Sequence, residues 1–217
     1  MSEQLWAQVD TYINDVVIGR DAALEAAAAS AADAKLPPIS VTPAYGKLLH
    51  LIVKVRGAAR ILEIGTLAGY STIWLARAVP ADGRVISIES NPMHADIARA
   101  NIERAGLTAR VDIRVGAALD VLPLLAADKQ TPFDFIFIDA DRARLADYFD
   151  WAVRFSHAGS VIIVDNVVRK GAVVDAASDN ADVKGVRRFN EQLKADTRVD
   201  ATMMSAVTPG MGCSRAG

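Results

Sequence analysis

The chain has 217 residues, of which 52% are hydrophobic and 23% charged, a balance typical of one globular domain. A formal net charge of -2 at pH 7 gives no electrostatic reason to expect nucleic acid or an anionic membrane as a partner. The single cysteine, Cys213, excludes an internal disulfide and the common zinc clusters. No apolar run reaches membrane-spanning length, and residues 1–4 do not begin a signal peptide. We therefore expect a cytoplasmic protein.

The first part of the chain predicts an N-terminal helical extension. Residues 22–34 are rich in alanine, the strongest helix former, and this predicted helix stops at Pro37 and Pro38. A second helical pattern begins at about Tyr45 and repeats apolar residues at helical spacing up to Val53.

From residue 60 onward, short apolar runs rich in branched residues alternate with stretches of helical period. The predicted strands are 60–63, 85–89, 111–115, 133–139 and 161–165, and the helical stretches include 71–79, 92–105, 142–155 and 183–195. Strands that are apolar on both faces and alternate with helices predict a mostly parallel sheet covered on two sides. The expected fold class is therefore α/β, doubly wound, with ligands bound beyond the carboxyl ends of the strands.

A glycine-containing segment follows the first predicted strand, where residues 63–71 read EIGTLAGYS. Gly65 and Gly69 would let the backbone turn sharply and approach a ligand. Their spacing differs from the dinucleotide-binding fingerprint. Glu63 would repel a pyrophosphate but suits a cationic ligand that carries an ammonium and a sulfonium. An ordinary glycine turn is the alternative interpretation.

An acidic residue ends the second predicted strand. Glu89 occupies a place where an acid commonly accepts hydrogen bonds from both ribose hydroxyls of a nucleoside. A solvated carboxylate at a strand end is the alternative. Together with the glycine segment, Glu89 favours a nucleoside-type cofactor.

Oxygen-bearing side chains end the fourth and fifth predicted strands. Asp139 follows one strand, and Asp165 and Asn166 follow the next. Neighbouring parallel strands lie about 4.8 Å apart, so these side chains can converge. Two carboxylates and an amide oxygen suit Mg²⁺ or Ca²⁺ and are poor ligands for zinc. Capping of the following helices is the alternative role.

The three histidines are weaker candidates. His50, His94 and His157 fall in predicted helical stretches and show neither triad nor metal-pair spacing. We interpret them as surface or packing residues.

Four segments in matching order closely resemble the cation-dependent O-methyltransferase family, which includes catechol and caffeoyl-coenzyme A O-methyltransferases. They are residues 63–71, 88–92, 137–141 and 164–167, and the likeness runs from about Trp6 to Asn190. The resemblance implies a class I, Rossmann-like methyltransferase fold, S-adenosylmethionine as cofactor and a divalent cation, Mg²⁺ or else Ca²⁺ or Mn²⁺. It also implies a small aromatic substrate with adjacent hydroxyls and, with the alanine-rich N-terminal helices, a homodimer.

The same resemblance implies roles for individual residues. The implied cofactor contacts are Val41, Glu63, Gly65, Thr66, Ser71, Glu89, Ala118, Asp139 and Asp141. The implied metal ligands are Asp139, Asp165 and Asn166, and the implied catalytic residues are Asp139 and Arg142. The chain would then be one methyltransferase domain, with N-terminal helices and a lid in residues 1–58 and an α/β core in residues 59–217.

The sequence departs from the family pattern in two places. Arg142 stands where relatives usually carry lysine, and arginine stays protonated in proteins, so it cannot act as a base. Either the metal alone makes the substrate phenol acidic enough to lose its proton, or Arg142 stabilises the phenolate, or activity is reduced. Residues 208–217 also lack the turn and the last apolar strand of the family.

Two other functions remain open at this point. A nicotinamide-dependent oxidoreductase would share the acid that ends the second strand. This chain lacks the dinucleotide-binding fingerprint, however, and that function would leave Asp139, Asp165 and Asn166 unexplained. A non-catalytic relative that binds the cofactor is favoured only by Arg142 and the unusual C-terminus.

Overall fold

The computed structural model describes residues 3–204, which contain a five-stranded, wholly parallel sheet. The strands are β1 (Arg60–Ile64), β2 (Arg84–Glu89), β3 (Val111–Val115), β4 (Phe133–Ile138) and β5 (Ser156–Val164). Their spatial order is β3-β2-β1-β4-β5, so the direction of winding reverses between β1 and β4. The predicted α/β, doubly wound fold is confirmed.

Helices cover both faces of the sheet. They are α1 (Glu3–Ile13), α2 (Ala22–Asp33), α3 (Pro43–Arg56), α4 (Tyr70–Ala78), α5 (Pro92–Arg104), α6 (Ala118–Ala127), α7 (Leu145–Phe155) and α8 (Ala181–Ala195). Alternate strand residues point to opposite faces. Leu62 and Ile64 therefore join one apolar cluster with α6, α7 and α8, while Ile61 joins another with α2, α3, α4 and α5.

The N-terminal extension is fixed to the sheet through α2 and α3. The Asp21 carboxylate caps α2 by accepting from the amides of Ala23 and Leu24, and the guanidinium of Arg77 on α4 donates to both its oxygens. Thr42 caps α3, whose first residue is Pro43, a residue well suited to that position. A turn of π-helix, Asn14–Ile18, joins α1 to the segment before α2.

Three details differ from the sequence-based expectations. Helix α6 is not predicted, and the predicted helix over 142–155 is a 3₁₀ turn, Arg142–Arg144, followed by α7. Strand β5 begins at Ser156, so the expectation that His157 is helical is wrong. Its Nε2 lies 3.0 Å from Oδ1 of Asp134 on β4.

The expectation for residues 208–217 lies outside the described residues. Over the described part of the chain, no helix combines the length and apolar character needed to cross a membrane.

Candidate active site

A cavity of about 340 Å³ opens at the carboxyl ends of the strands, where the winding reverses. This is the place where open α/β sheets bind ligands. Most of the residues predicted to form the site line this cavity: Val41, Gly65, Thr66, Ser71, Glu89, Ala118, Asp139, Asp141 and Arg142. Three predicted residues, Glu63, Asp165 and Asn166, are not among its lining residues.

The loop from Gly65 to Gly69, which we call the glycine loop, runs against the end of β4. Gly65 has a φ of 101°, and a Cβ atom there would lie 2.1 Å from the carbonyl oxygen of Asp139. Leu67 also has a positive φ, 50°, and Gly69, with a φ of 81°, is the residue before α4. Only glycine fits at position 65, because any side chain would push the loop away from Asp139.

Glu89 holds the front of the glycine loop. Its Oε2 accepts from the backbone amides of Thr66 (3.2 Å) and Leu67 (2.8 Å), and its Oε1 accepts from the amide of Asn91 (2.9 Å). A carboxylate has about four lone-pair positions, so Glu89 retains capacity to accept from a ligand. The residue therefore faces the cavity and organises the loop at the same time.

Glu63 lies beneath the glycine loop rather than in the cavity, and its side chain is fully buried. It accepts from the hydroxyls of Ser71 (2.6 Å), Thr72 (2.5 Å) and Ser87 (2.6 Å). Burial raises the pKa of Glu63 to about 7, although these three hydroxyls oppose the change. Glu63 therefore does not line the cavity itself but holds the hydroxyl of Ser71, which does, and its implied contact with a cofactor stays a prediction.

The three predicted metal ligands come together as neighbouring strands require. β4 and β5 pair in parallel up to Ile138 and Val164, and the Asn166 amide then donates from Nδ2 to Asp139 Oδ1 over 3.0 Å. The Asn166 backbone amide also donates to Asp165 Oδ1 over 2.6 Å, with Asn166 in the left-handed region at a φ of 65°. Asparagine tolerates this region better than most residues.

The donor set fits a hard divalent cation. Burial first, and then the charge of Asp165, raises the pKa of Asp139 to about 6. Burial likewise raises the pKa of Asp165. Two partly buried carboxylates whose pKa values are raised in this way would be stabilised by a cation between them. Rotation of the Asn166 side-chain amide would present its oxygen to the same point. No group of three or more His, Cys, Asp or Glu side chains suited to a metal occurs in residues 3–204.

Arg142 lies beside this pair, with Nη2 3.3 Å from Asp139 Oδ1. The backbone of Arg142 and Ala143 packs against Gly185 of α8, where a Cβ atom would lie 2.2 Å from the Arg142 carbonyl oxygen. Helix α8 is itself held on α7 by the ring contact between Phe149 and Phe189, with centroids 5.3 Å apart. Gly185 therefore allows α8 to press directly on the segment that carries Arg142.

Sequence reasoning missed two residues that line the cavity, His94 and Tyr148, and a third, Tyr45, that senses the charges of Asp139 and Asp165. His94, interpreted as a surface or packing residue, lines the cavity with its Nδ1 3.6 Å from Glu89 Oε1. Its place in the first turn after Glu89 was the available signal. The Tyr148 hydroxyl donates to the Asp141 carboxylate. The pKa of Tyr45 is raised, first by burial and then by the charges of Asp165 and Asp139. Nothing in the sequence pattern marked either tyrosine.

Comparison with known proteins agrees with this geometry. The profile of the O-methyltransferase family matches residues 18–216. A catechol O-methyltransferase of Niastella koreensis is 51% identical over 207 residues, covering 95% of this chain and 94% of that protein.

Two solved structures are also similar. An O-methyltransferase from Bacillus cereus in complex with SAH has a TM-score of 0.91 and 51% identity, covering 93% of this chain and 91% of that one. The O-methyltransferase TomG from Streptomyces achromogenes, in complex with SAM, has a TM-score of 0.88 and 44% identity, covering 91% and 88%. The expected class I, Rossmann-like methyltransferase fold and the resemblance drawn from the four segments are both confirmed. The chain belongs to the O-methyltransferase family.

Proposed function

We propose that this protein transfers the methyl group of S-adenosylmethionine to one hydroxyl of a small aromatic substrate with two adjacent hydroxyls, assisted by a divalent cation. The observation that carries the proposal is that two donor sets lie at one edge of the sheet. Glu89 with the glycine loop suits a nucleoside, and Asp139 with Asp165 and Asn166 suits a hard cation. The SAH and SAM held by the two solved structures support the cofactor, and the catechol O-methyltransferase name of the Niastella koreensis relative supports a substrate with adjacent hydroxyls.

The cofactor would lie along the cavity, with each end matched to nearby residues. Glu89 would accept from the ribose hydroxyls, and the Ser71 hydroxyl, held by Glu63, would face the methionine end. The first turn of α6, at Ala118, would border the adenine, and Asp141 is oriented for a further contact by the Tyr148 hydroxyl. Val41, in the segment between α2 and α3, would close the cavity from the N-terminal side.

Asp139, Asp165 and Asn166 would hold the cation, for which Mg²⁺, Ca²⁺ and Mn²⁺ all suit the oxygen ligands. When bound, such a cation would supply positive charge that favours the anionic form of a substrate phenol. Asp139 and Arg142 both line the cavity, so a cation held by this ligand set would lie at the end of the cavity where Arg142 lies. Holding the oxygen nucleophile in line with the methyl group supplies much of the rate.

Arg142 cannot take the phenol proton, because a guanidinium remains protonated in proteins. Its guanidinium instead keeps a fixed positive charge 3.3 Å from Asp139. This charge stabilises a neighbouring phenolate electrostatically. Arg142 would therefore not serve as the base, and the phenol proton would pass to solvent.

The decisive experiment is a methylation assay across aromatic vicinal diols, with and without Mg²⁺. We expect EDTA to abolish methyl transfer, added Mg²⁺ to restore it, and S-adenosylhomocysteine binding measured by calorimetry to persist throughout. Asp165→Ala should abolish methyl transfer as EDTA does, without restoration by added Mg²⁺. Asp175→Ala, at an exposed carboxylate in the connection after β5, is the matched control and should retain activity. Full turnover after exhaustive chelation would contradict the role of the cation.

The same assay separates the competing functions. An oxidoreductase would bind NAD in preference to S-adenosylhomocysteine. A non-catalytic relative would bind S-adenosylhomocysteine and give no product with any diol. Binding of S-adenosylhomocysteine together with a methylated diol would exclude both.

We also propose that the protein forms a homodimer through α3. Its outer face carries Leu48, Leu51 and Val55, which are 40%, 47% and 89% exposed. These positions recur at helical spacing and form one apolar stripe. Val16 and Val17, 62% and 68% exposed, extend the apolar surface on the neighbouring π-helical turn. Light scattering should give a dimer for the unaltered protein and a monomer for Val55→Lys, and a monomer in both would contradict the proposal.

A further inference from the structure

Asn101 on α5 is one of the few polar side chains in the core, with 1% of its surface exposed. Its Nδ2 donates to the carbonyl oxygen of Ala68 over 2.9 Å and to the Ser30 hydroxyl over 2.8 Å. Its Oδ1 accepts from Arg104 Nη1 over 2.6 Å and lies 3.0 Å from the Ser30 hydroxyl. Both N–H donors of the amide and one acceptor position of Oδ1 are thereby used, and the one Ser30 proton can go either to Oδ1 or to the Ala27 carbonyl oxygen.

The bond to Ala68 supports the glycine loop from behind. Ala68 is 1% exposed, so its carbonyl oxygen is removed from water and depends on a protein donor. Gly69 packs on the same helix, because a Cβ atom there would lie 3.3 Å from the Cβ of Ala98. Glu89 holds the front of the loop and Asn101 holds its back, so the loop is fixed between β2 and α5.

The second bond extends this support to the N-terminal extension. Ser30 lies on α2, and its hydroxyl can donate to the Ala27 carbonyl oxygen (3.0 Å) while it accepts from Asn101. The chain after α2 leads directly into Pro37, Ile39 and Val41, which line the cavity. One amide therefore joins the loop on one side of the cavity to the helix that leads into the opposite wall.

We propose that Asn101 is a positioning residue for the cofactor, which acts by holding the glycine loop through the Ala68 carbonyl oxygen. The inference rests on the proposed function, because it assigns the glycine loop to S-adenosylmethionine. Loss of the donor leaves a buried carbonyl oxygen unpaired, and the loop then populates arrangements that cannot bind the cofactor. The apparent Kd rises in inverse proportion to the fraction of molecules that remain competent.

The test is Asn101→Ala, with S-adenosylhomocysteine affinity measured by calorimetry and methyl transfer measured at saturating cofactor. We expect Kd to rise about tenfold, which corresponds to about 1.4 kcal/mol. The KM for S-adenosylmethionine should rise in parallel, and kcat should stay within about twofold, because a residue that only positions the loop does not touch the reacting atoms. Asn101→Asp keeps the shape and the bond from Arg104 but removes the donor to Ala68. It should show the same change, and it serves as the test if Asn101→Ala does not fold.

Two control variants separate positioning from loss of stability. Ile102→Ala removes a buried aliphatic side chain from the next position of α5, 3% exposed, and should lower the Tm without changing Kd. Ser30→Ala removes the link to α2 but leaves the bond to Ala68, so Kd should change less than threefold.

Three outcomes would overturn the inference while the proposed function stands. The first is a folded Asn101 variant whose Kd stays within twofold of that of the unaltered protein. The second is a rise in Kd for Ile102→Ala as large as that of the Asn101 variant, at the same loss of Tm. The third is a rise in Kd of that size for Ser30→Ala. Failure of the unaltered protein to bind S-adenosylhomocysteine would overturn both proposals together.

Discussion

The buried carboxyl of Glu63 makes a sharp prediction about stability and pH. Burial raises its pKa to about 7 in the folded protein, against 4.5 for an ordinary glutamate. Between these two values the folded protein keeps the proton while the unfolded chain has released it. Raising the pH therefore favours unfolding over this window. At about 1.4 kcal/mol for each pH unit, Glu63 should cost about 3 kcal/mol of stability once both states are ionised.

Glu63→Gln removes the ionisation and keeps the shape. The amide oxygen can accept from Thr72 and Ser87, as Oε2 does, and the amide nitrogen can donate to Ser71 at the place of Oε1. We therefore expect the variant to fold. Its free energy of unfolding, relative to that of the unaltered protein, should rise by about 3 kcal/mol from pH 4.5 to pH 7.5.

The measurement is urea unfolding of both proteins at half-unit steps of pH, analysed as the difference in the free energy of unfolding at each step. Glu25→Gln is the control, because the Arg20 side chain lowers the pKa of this exposed carboxyl and its difference should be flat above pH 5. A Glu63→Gln difference that stays constant from pH 4.5 to pH 7.5 would refute the reasoning, since it would mean that the buried carboxyl ionises as it does in water.

Three further predictions concern the cavity. Glu89→Ala should weaken S-adenosylhomocysteine at least tenfold, because charge-assisted hydrogen bonds are worth about 1.5–3 kcal/mol each, and an unchanged Kd by calorimetry would remove Glu89 from the site. Arg142→Lys should retain or raise methyl transfer to a catechol, because lysine can lose a proton, and a drop in kcat would show that the guanidinium itself is required. Gly185→Ala should lower kcat about tenfold or more, because a Cβ atom 2.2 Å from the Arg142 carbonyl oxygen displaces the segment beside Asp139, and an unchanged kcat would contradict this.

The sheet was predictable because its central strands are buried on both faces. A run as apolar as FDFIFI in β4 is typical of a strand in the interior of a sheet. Because such strands alternate with helices along the chain, a parallel arrangement is expected. The convergence of Asp139 with Asp165 and Asn166 follows from that arrangement alone, because adjacent parallel strands end at the same edge. The fold and the convergence of these three side chains were therefore predictable from one pattern.

Other features depend on packing that a sequence pattern does not carry. Helix α6 was not assigned because Pro123 lies inside it and the helix has no clear polar face. The support role of Glu63 depends on which face of β1 it occupies and on the hydroxyls that meet it there. Asn101 meets Ala68 only once α5 is packed on the glycine loop, so no local spacing marks it.

The parallel arrangement leaves the amino ends of the strands, opposite the cavity, available for protein engineering. The helix-to-strand connections meet at these ends, and two of them contain glycines with positive φ and no neighbouring atom within 4 Å of an added Cβ: Gly57, between α3 and β1, and Gly106, between α5 and β3. Exposed connections of this kind accept inserted sequence best. A fluorescent or affinity module inserted after Gly106 would therefore stand at the far end of the strands from the cavity, and the fused enzyme could be immobilised or tracked while its substrate entrance stays open.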